Sequence, residues 1–331
     1  MSWSASEFAG ATGSRYPLVM TDEIVSSGAL PSQPASGAAV PTRRVPWVTA
    51  AACVAMLAVF AVVSLIPGAA PFASWGYRGD AFQVWSGAAW VLLVSAFIHQ
   101  ALWHLALNIY WLWSLGRAIE AAFGSLLVGL LLITPAFVSS SFQLAIFDNV
   151  GVGASGMAFA LFGFGWLARG KKQELRSTFT PKVGVLFLSW FVGCWVILTR
   201  VVGNGAHLGG LLFGAVVAEA FVMRRRPRLA KAGATVLVVL ALGVSFVCPW
   251  SATWWSTMGY KAHARGQYEL AIEAYDTSLE LRPGQPWVMA SLIRAYRASG
   301  KADAATPLLA KLRSISPSEA AKLDEDLKGG R

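Results

Sequence analysis

Seven largely apolar runs of about 20 residues, each long enough to cross a bilayer, follow one another at 47–66, 93–115, 125–146, 153–169, 183–200, 204–223 and 232–250. Inside hydrocarbon every backbone N–H and C=O must find a partner within the protein, so helices are the natural solution for runs of this length. The expected fold class is therefore all-α, a polytopic membrane helix bundle. Composition agrees: 56% of the 331 residues are hydrophobic and only 13% charged, against about 25% charged in soluble domains. A net charge of +10 would suit nucleic acid, but the cations gather in short runs beside the apolar segments and no nucleic-acid motif accompanies them. Arg43 and Arg44, Arg117, "RGKKQELR" and "RRRPRLAK" all fall on one side if the amino terminus is cytoplasmic and every run crosses. The carboxyl-terminal segment then lies outside, with Trp250, Trp254 and Trp255 as an interfacial belt.

Residues 1–44, rich in Ser, Ala, Gly and Pro, read as a disordered cytoplasmic tail. The first apolar run begins near Pro46 and is too long for a cleavable signal, and Glu7, Asp22 and Glu23 oppose a mitochondrial presequence. Cys53, Cys194 and Cys248 are odd in number and scattered through apolar segments, so they form neither a disulfide framework nor a metal site. No cofactor is implied. The stretch 67–93, with aromatics among Gly and Pro, is expected to be a partly buried outer loop.

Polar and ionisable residues inside spans are costly and mark functional sites with nameable partners. His99 and His104 fall in the second run, His207 in the sixth, and Ser155 opens the fourth. In the alternating topology these three runs descend in the same direction. His104 and Asn108 lie about two to three turns into theirs, Ser155 and His207 in the first turn of theirs, so all can share one layer near the outer face. The layer holds the parts of a serine hydrolase: a hydroxyl, an imidazole to take its proton, and donors for an oxyanion. Ser155 is the candidate nucleophile and His207 its base. His104 and Asn108, spaced i, i+4 on one face, together with the Ser155 backbone N–H, are the candidate oxyanion donors.

Ala206, Gly210 and Gly214 recur every four residues, a stripe that lets two helix backbones approach closely. Gly156 and Gly163 answer it on the fourth run, and Gly153 frees the backbone before Ser155. No carboxylate is placed to orient His207: Glu219 is about three turns deeper and Asp148 lies in the preceding loop. The expected arrangement is a Ser-His dyad. Two other classes bear on the same residues, a catalytically silent scaffold that binds transmembrane helices and a transporter; clustering of the polar set near one face argues against the transporter.

Residues 90–224 resemble the rhomboid family of intramembrane serine proteases. The family's Gly-x-Ser-Gly stands as Gly153-Ala154-Ser155-Gly156, its Ala-His with following small residues as Ala206-His207 with Gly210 and Gly214, and its His-x3-Asn pair as His104 and Asn108. Leu115-Gly116 and Glu120 fit as well. The resemblance further marks His99 as an upstream family histidine, and Gln143 and Asn204 as supporting positions carried by some bacterial members. The family's outer-loop Trp-Arg pair stands as Trp90-Val91, and the aromatic that stacks on the catalytic imidazole, often Tyr, is Phe159. It implies a six-span protease core at 45–224, and the run count adds a basic loop and seventh helix at 225–250. The resemblance also implies hydrolysis of single-pass transmembrane protein substrates at the bilayer, and the Ala- and Gly-rich composition, with no presequence expected, suits a bacterial plasma membrane.

Beyond the last apolar run the chain turns polar and repeats every 34 residues, from Gly266 to Gly300, Ala271 to Ala305 and Pro283 to Pro317. The period and the small and aromatic positions resemble tetratricopeptide helix pairs, giving an outer helical domain at 251–331. Two units are fewer than the three or so such arrays need, so "SEAAKLDEDLKGGR" is expected to cap them, with docking on the membrane region as further support. His263 is expected to be solvated. A peptide or protein partner for these helices is the functional expectation.

Overall fold

The computed structural model describes residues 45–65, 80–198 and 202–328, and among them the chain is helical with no β-strand. The expected tail at 1–44 and most of the outer loop, at 66–79, lie outside the described residues. The membrane region comprises α1 (Trp47–Leu65), the short α2 (Ala81–Trp85) and α3 (Val91–Val94), α4 (Leu102–Phe123), α5 (Ser125–Phe147), α6 (Ser155–Ala168), α7 (Pro181–Val196), α8 (Asn204–Ala218) and α9 (Pro227–Val244). The last turn of α8 loosens into a π-helical stretch, Glu219–Met223.

Four of the expected spans are matched by helices long and apolar enough to cross a membrane, at Trp47–Ser64, Ser125–Phe147, Asn204–Met223 and Pro227–Val244. The second expected span is corrected. It does not run unbroken over 93–115: Val91–Phe97 and Leu102–Phe123 meet at a 94° bend, and the break falls on Ile98, His99, Gln100 and Ala101. Two polar side chains in succession there interrupt an otherwise continuous apolar stretch. The seventh span is also shifted, starting at Pro227 within the basic stretch and ending at Val244, because Pro at the first helical position favours initiation. α6 and α7 have only 14 and 16 residues, or about 21 and 24 Å at 1.5 Å per residue.

α6 is the hub. Eleven of its 14 residues are buried, as expected of a helix apolar all round. It meets α8 along the glycine stripe: a Cβ on Gly210 would stand 2.0 Å from the Gly156 carbonyl oxygen, and one on Gly214 would stand 1.9 Å from that of Ala160. Leu112, Leu115 and Ile119 of α4 and Val128, Leu131 and Leu132 of α5 complete the apolar core. Outward, Leu126, Val185, Val196 and Leu229 are exposed, the pattern of a surface that faces lipid. Glu120, buried in α4, accepts from the Val48 and Thr49 N–H groups at 3.0 and 2.9 Å and from the Thr49 and Ser125 hydroxyls, each at 2.6 Å. Its carboxylate thereby satisfies the exposed amide end of α1 and ties α1 to the α4–α5 corner.

The polar segment folds as α10 (Ala252–Ala264), α11 (Tyr268–Leu281), α12 (Pro286–Ala298), α13 (Ala302–Ile315) and α14 (Pro317–Lys328). α10–α11 and α12–α13 begin 34 residues apart, Ala252 against Pro286 and Tyr268 against Ala302. α14 closes the apolar interior with Ala320 and Leu323 against Met289, Ile293 and Leu312. The repeat helices dock on α2, where Phe82 meets Tyr260 of α10 and Trp287 of α12 edge-on at 5.4 and 5.5 Å and Lys261 of α10 donates to the Trp85 carbonyl at 2.6 Å. His263 departs from its expected solvation: it is half-buried with its ring edge-on to Tyr268 at 5.5 Å, and burial, then the Arg294 charge, hold its imidazole below the ordinary range.

Candidate active site

Ser155 is the first residue of α6, and what leads to it is loop, residues 148–154. Asp148 ends α5 with left-handed backbone, φ 55°. At Gly153 φ is +104°, and a Cβ would stand 2.5 Å from His104 Cε1, so conformation and space both require glycine. The Gly153 N–H donates to the Ser95 carbonyl at 3.0 Å, and the Ala154 N–H donates to His99 Nε2 at 3.3 Å. Since Nε2 accepts there, the proton of a neutral His99 sits on Nδ1, which donates to the Phe97 carbonyl at 3.2 Å. His99 therefore lies in the break before α4, not within a span, and it steadies the residue before Ser155.

His207 is the fourth residue of α8. Its Nε2 lies 2.9 Å from Ser155 Oγ, and Phe159 stacks on its ring at 4.4 Å between centroids and 28° between planes. The close backbone approach of α6 and α8 is what lets two side chains this short meet. His207 Nδ1 is buried without a hydrogen-bond partner among the described residues. The two acids weighed in the sequence are engaged elsewhere: Glu219 accepts from the Arg225 and Arg226 N–H groups at 2.8 and 3.0 Å, and Asp148 is bound by Ser251, Thr253 and Arg282.

His104 and Asn108 are higher in their helix than the expected two to three turns, in the first and second turns of α4, because the helix begins only at Leu102. The Asn108 amide donates one hydrogen to the His104 carbonyl at 3.0 Å and retains a second. Gln143 joins two segments around the site: its Oε1 accepts from the Gly205 N–H and its Nε2 donates to Asn149 Oδ1, each at 2.9 Å. Asn204 donates to the Cys194 carbonyl at 3.1 Å, tying the end of α7 to the start of α8, while its Oδ1 is buried without a partner among the described residues.

These groups border a cavity of about 920 Å³ whose lining includes His104, Asn108, Gln143, Ser155, Phe159 and His207. Trp103, Trp111, Phe187 and Trp190 supply much of its apolar wall. Non-helical backbone at 149–152 lines it as well, the circumstance in which irregular chain is tolerated within a membrane protein. Sequence reasoning missed the loop's holders, above all Ser95 and Asn149. Asn149 had a signal, a carboxamide two residues after a long apolar run; the Ser95 contact runs through its carbonyl and leaves no trace in residue type.

Residues 86–225 match the Rhomboid domain and residues 262–323 match the Tetratricopeptide repeat. Similar curated proteins include the Rhomboid protease GlpG of Klebsiella pneumoniae, 31% identical over 142 residues, covering 42% of this chain and 51% of the relative. That of Serratia proteamaculans is 33% identical over 131 residues, covering 39% and 47%, and that of Salmonella paratyphi A is 28% identical over 186 residues, covering 56% and 65%. The chain thus spans about half the length of the first curated relatives it matches. Its membrane helices match the Rhomboid domain and the helices that follow match the Tetratricopeptide repeat, so over its membrane region the chain is similar to rhomboid proteases.

Proposed function

We propose that this protein is an intramembrane serine endopeptidase acting on transmembrane protein substrates, with Ser155 as nucleophile and His207 as general base. The observation that carries the reading is the 2.9 Å contact between Ser155 Oγ and His207 Nε2 at the edge of a cavity with oxyanion donors nearby. In this reading His207 Nε2 takes the hydroxyl proton as Oγ attacks the scissile carbonyl carbon. The negative oxygen is received by the Asn108 amide, by His104 and by the Ser155 N–H, which as a first-turn amide has no acceptor within its helix. His207 returns the proton to the leaving amine, and water attacks the acyl-serine by the same route reversed. With Nδ1 unpartnered among the described residues, the pair works as a dyad.

A peptide in a transmembrane helix hides its carbonyls, so the substrate must unwind locally, and small or helix-breaking residues near the cut are expected. The domain reading follows: a six-span core at 45–224, a basic loop with a seventh helix at 225–250, and an outer repeat domain at 251–331 that recruits a peptide or protein. The amino terminus is cytoplasmic and the membrane a bacterial plasma membrane.

The test is labelling of the purified protein in detergent with a fluorophosphonate probe. Wild type is expected to label at one site, and Ser155→Ala not at all. A folded wild type that stays unlabelled, or labelling that survives Ser155→Ala, removes Ser155 as nucleophile.

A further inference from the structure

The loop that presents Ser155 is held from beyond the rhomboid domain. The Asp148 carboxylate is bound by the Ser251 hydroxyl and the Arg282 guanidinium, and by the Thr253 N–H at 3.2 Å and hydroxyl at 2.9 Å. Ser251 is also the N-cap of α10, accepting from the Trp254 N–H at 2.9 Å; Thr253 lies in that helix's first turn, and Arg282 directly follows α11. All three lie past residue 225, where the match to the Rhomboid domain ends. The Asp148 side chain is 13% exposed and that of Arg282 47%.

An apolar seat lies beside this polar latch. Val150 is buried with Trp85, Leu144 and Cys248, and Trp254 packs against the group. The Trp250 indole N–H donates to the Ala145 carbonyl at 2.7 Å in the last turn of α5. Between Asp148 and Ser155 the chain has no helical ladder, and residues 149–152 face the cavity. A segment without regular hydrogen bonding owes its order to where its ends are fixed. Its downstream end is fixed by Ser95 and His99, its upstream end by Asp148.

We propose that Asp148 is a positioning residue through which the tetratricopeptide-repeat region holds the serine loop. The repeat region is then a component of the active site, and a ligand that shifts the end of α11 acts on Ser155. The inference rests on the reading of Ser155 as nucleophile.

The experiment uses the full chain in detergent, with Arg282→Met and Arg282→Lys, since this half-exposed side chain is not among the residues that line the cavity. Two quantities are followed: amide hydrogen exchange over residues 148–154 and the rate of fluorophosphonate labelling. Arg282→Met is expected to exchange faster in that segment and to label about tenfold more slowly, within the range of coupling between distinct sites. Arg282→Lys, which keeps the charge, is expected to recover most of the rate. Unchanged exchange, or labelling of Arg282→Met at the wild-type rate, overturns the positioning role alone. A wild type that does not label overturns the reading of Ser155 and the positioning role with it.

Discussion

Replacing His207 by alanine is expected to slow hydrolysis of a transmembrane substrate by about 10⁴-fold or more, the scale seen when a serine hydrolase loses its base. Ser155→Ala should do the same, and the double variant should be no worse than either, because the two groups act as one unit. Stability should move far less. His207 Nδ1 is buried without a partner among the described residues, so its removal relieves an unsatisfied polar group while leaving a cavity behind, two effects of opposite sign. The check is cleavage of a reconstituted substrate beside thermal unfolding in the same detergent. A variant that keeps a large part of the activity would show that His207 is not the base.

Gly210→Val is expected to destabilise the protein by at least about 3 kcal/mol, at or above the upper range for overpacking. The conflict is steric and lies with backbone atoms. The new Cβ would lie 2.0 Å from the Gly156 carbonyl oxygen and 2.9 Å from its carbon, and backbone has no rotamer with which to yield. Relief requires α6 and α8 to part. Gly156 follows Ser155 and Gly210 comes three residues after His207, so parting the helices also lengthens the 2.9 Å serine–imidazole contact. Gly193→Val is the matched control, since nothing lies within 4 Å of a Cβ there; it should unfold near wild type. Equal unfolding temperatures for the two variants would contradict the close seam.

Much of this architecture is legible in residue type. The runs at 47–66, 125–146 and 204–223 end within a few residues of α1, α5 and α8 with its π turn, because hydropathy is averaged over lengths that real helices share. Averaging also explains the failure at 93–115: His99 and Gln100 are diluted among Val, Leu and Trp, so a break with a 94° bend leaves the mean hydropathy high. Ser155 and His207 could be singled out because a hydroxyl and an imidazole are conspicuous among glycine and leucine. The tasks of His99, Gln143 and Asn204 could not, since each is defined by a backbone group that composition does not display. The pairing of Asp148 with Arg282 was still further from view. The two are 134 residues apart, and no periodicity links a loop carboxylate to the end of a repeat helix.

The glycine seam between α6 and α8 leaves almost nothing that could rearrange, since helices joined backbone to backbone have few side chains to repack. Compliance must then reside elsewhere, and α7 is its natural seat: of its 16 residues only Gly184, Phe187 and Cys194 are buried. It leans on the hub largely through Phe187, stacked on Phe162 at 4.3 Å, and it presents Leu186, Phe187 and Trp190 to the cavity. Faster amide exchange across 181–196 than across 204–218 is the expected signature, and equal exchange would deny it. An exchange pattern of that kind would mean that the Ser155–His207 contact is held by the glycine seam while the cavity wall built from Leu186, Phe187 and Trp190 yields independently of it.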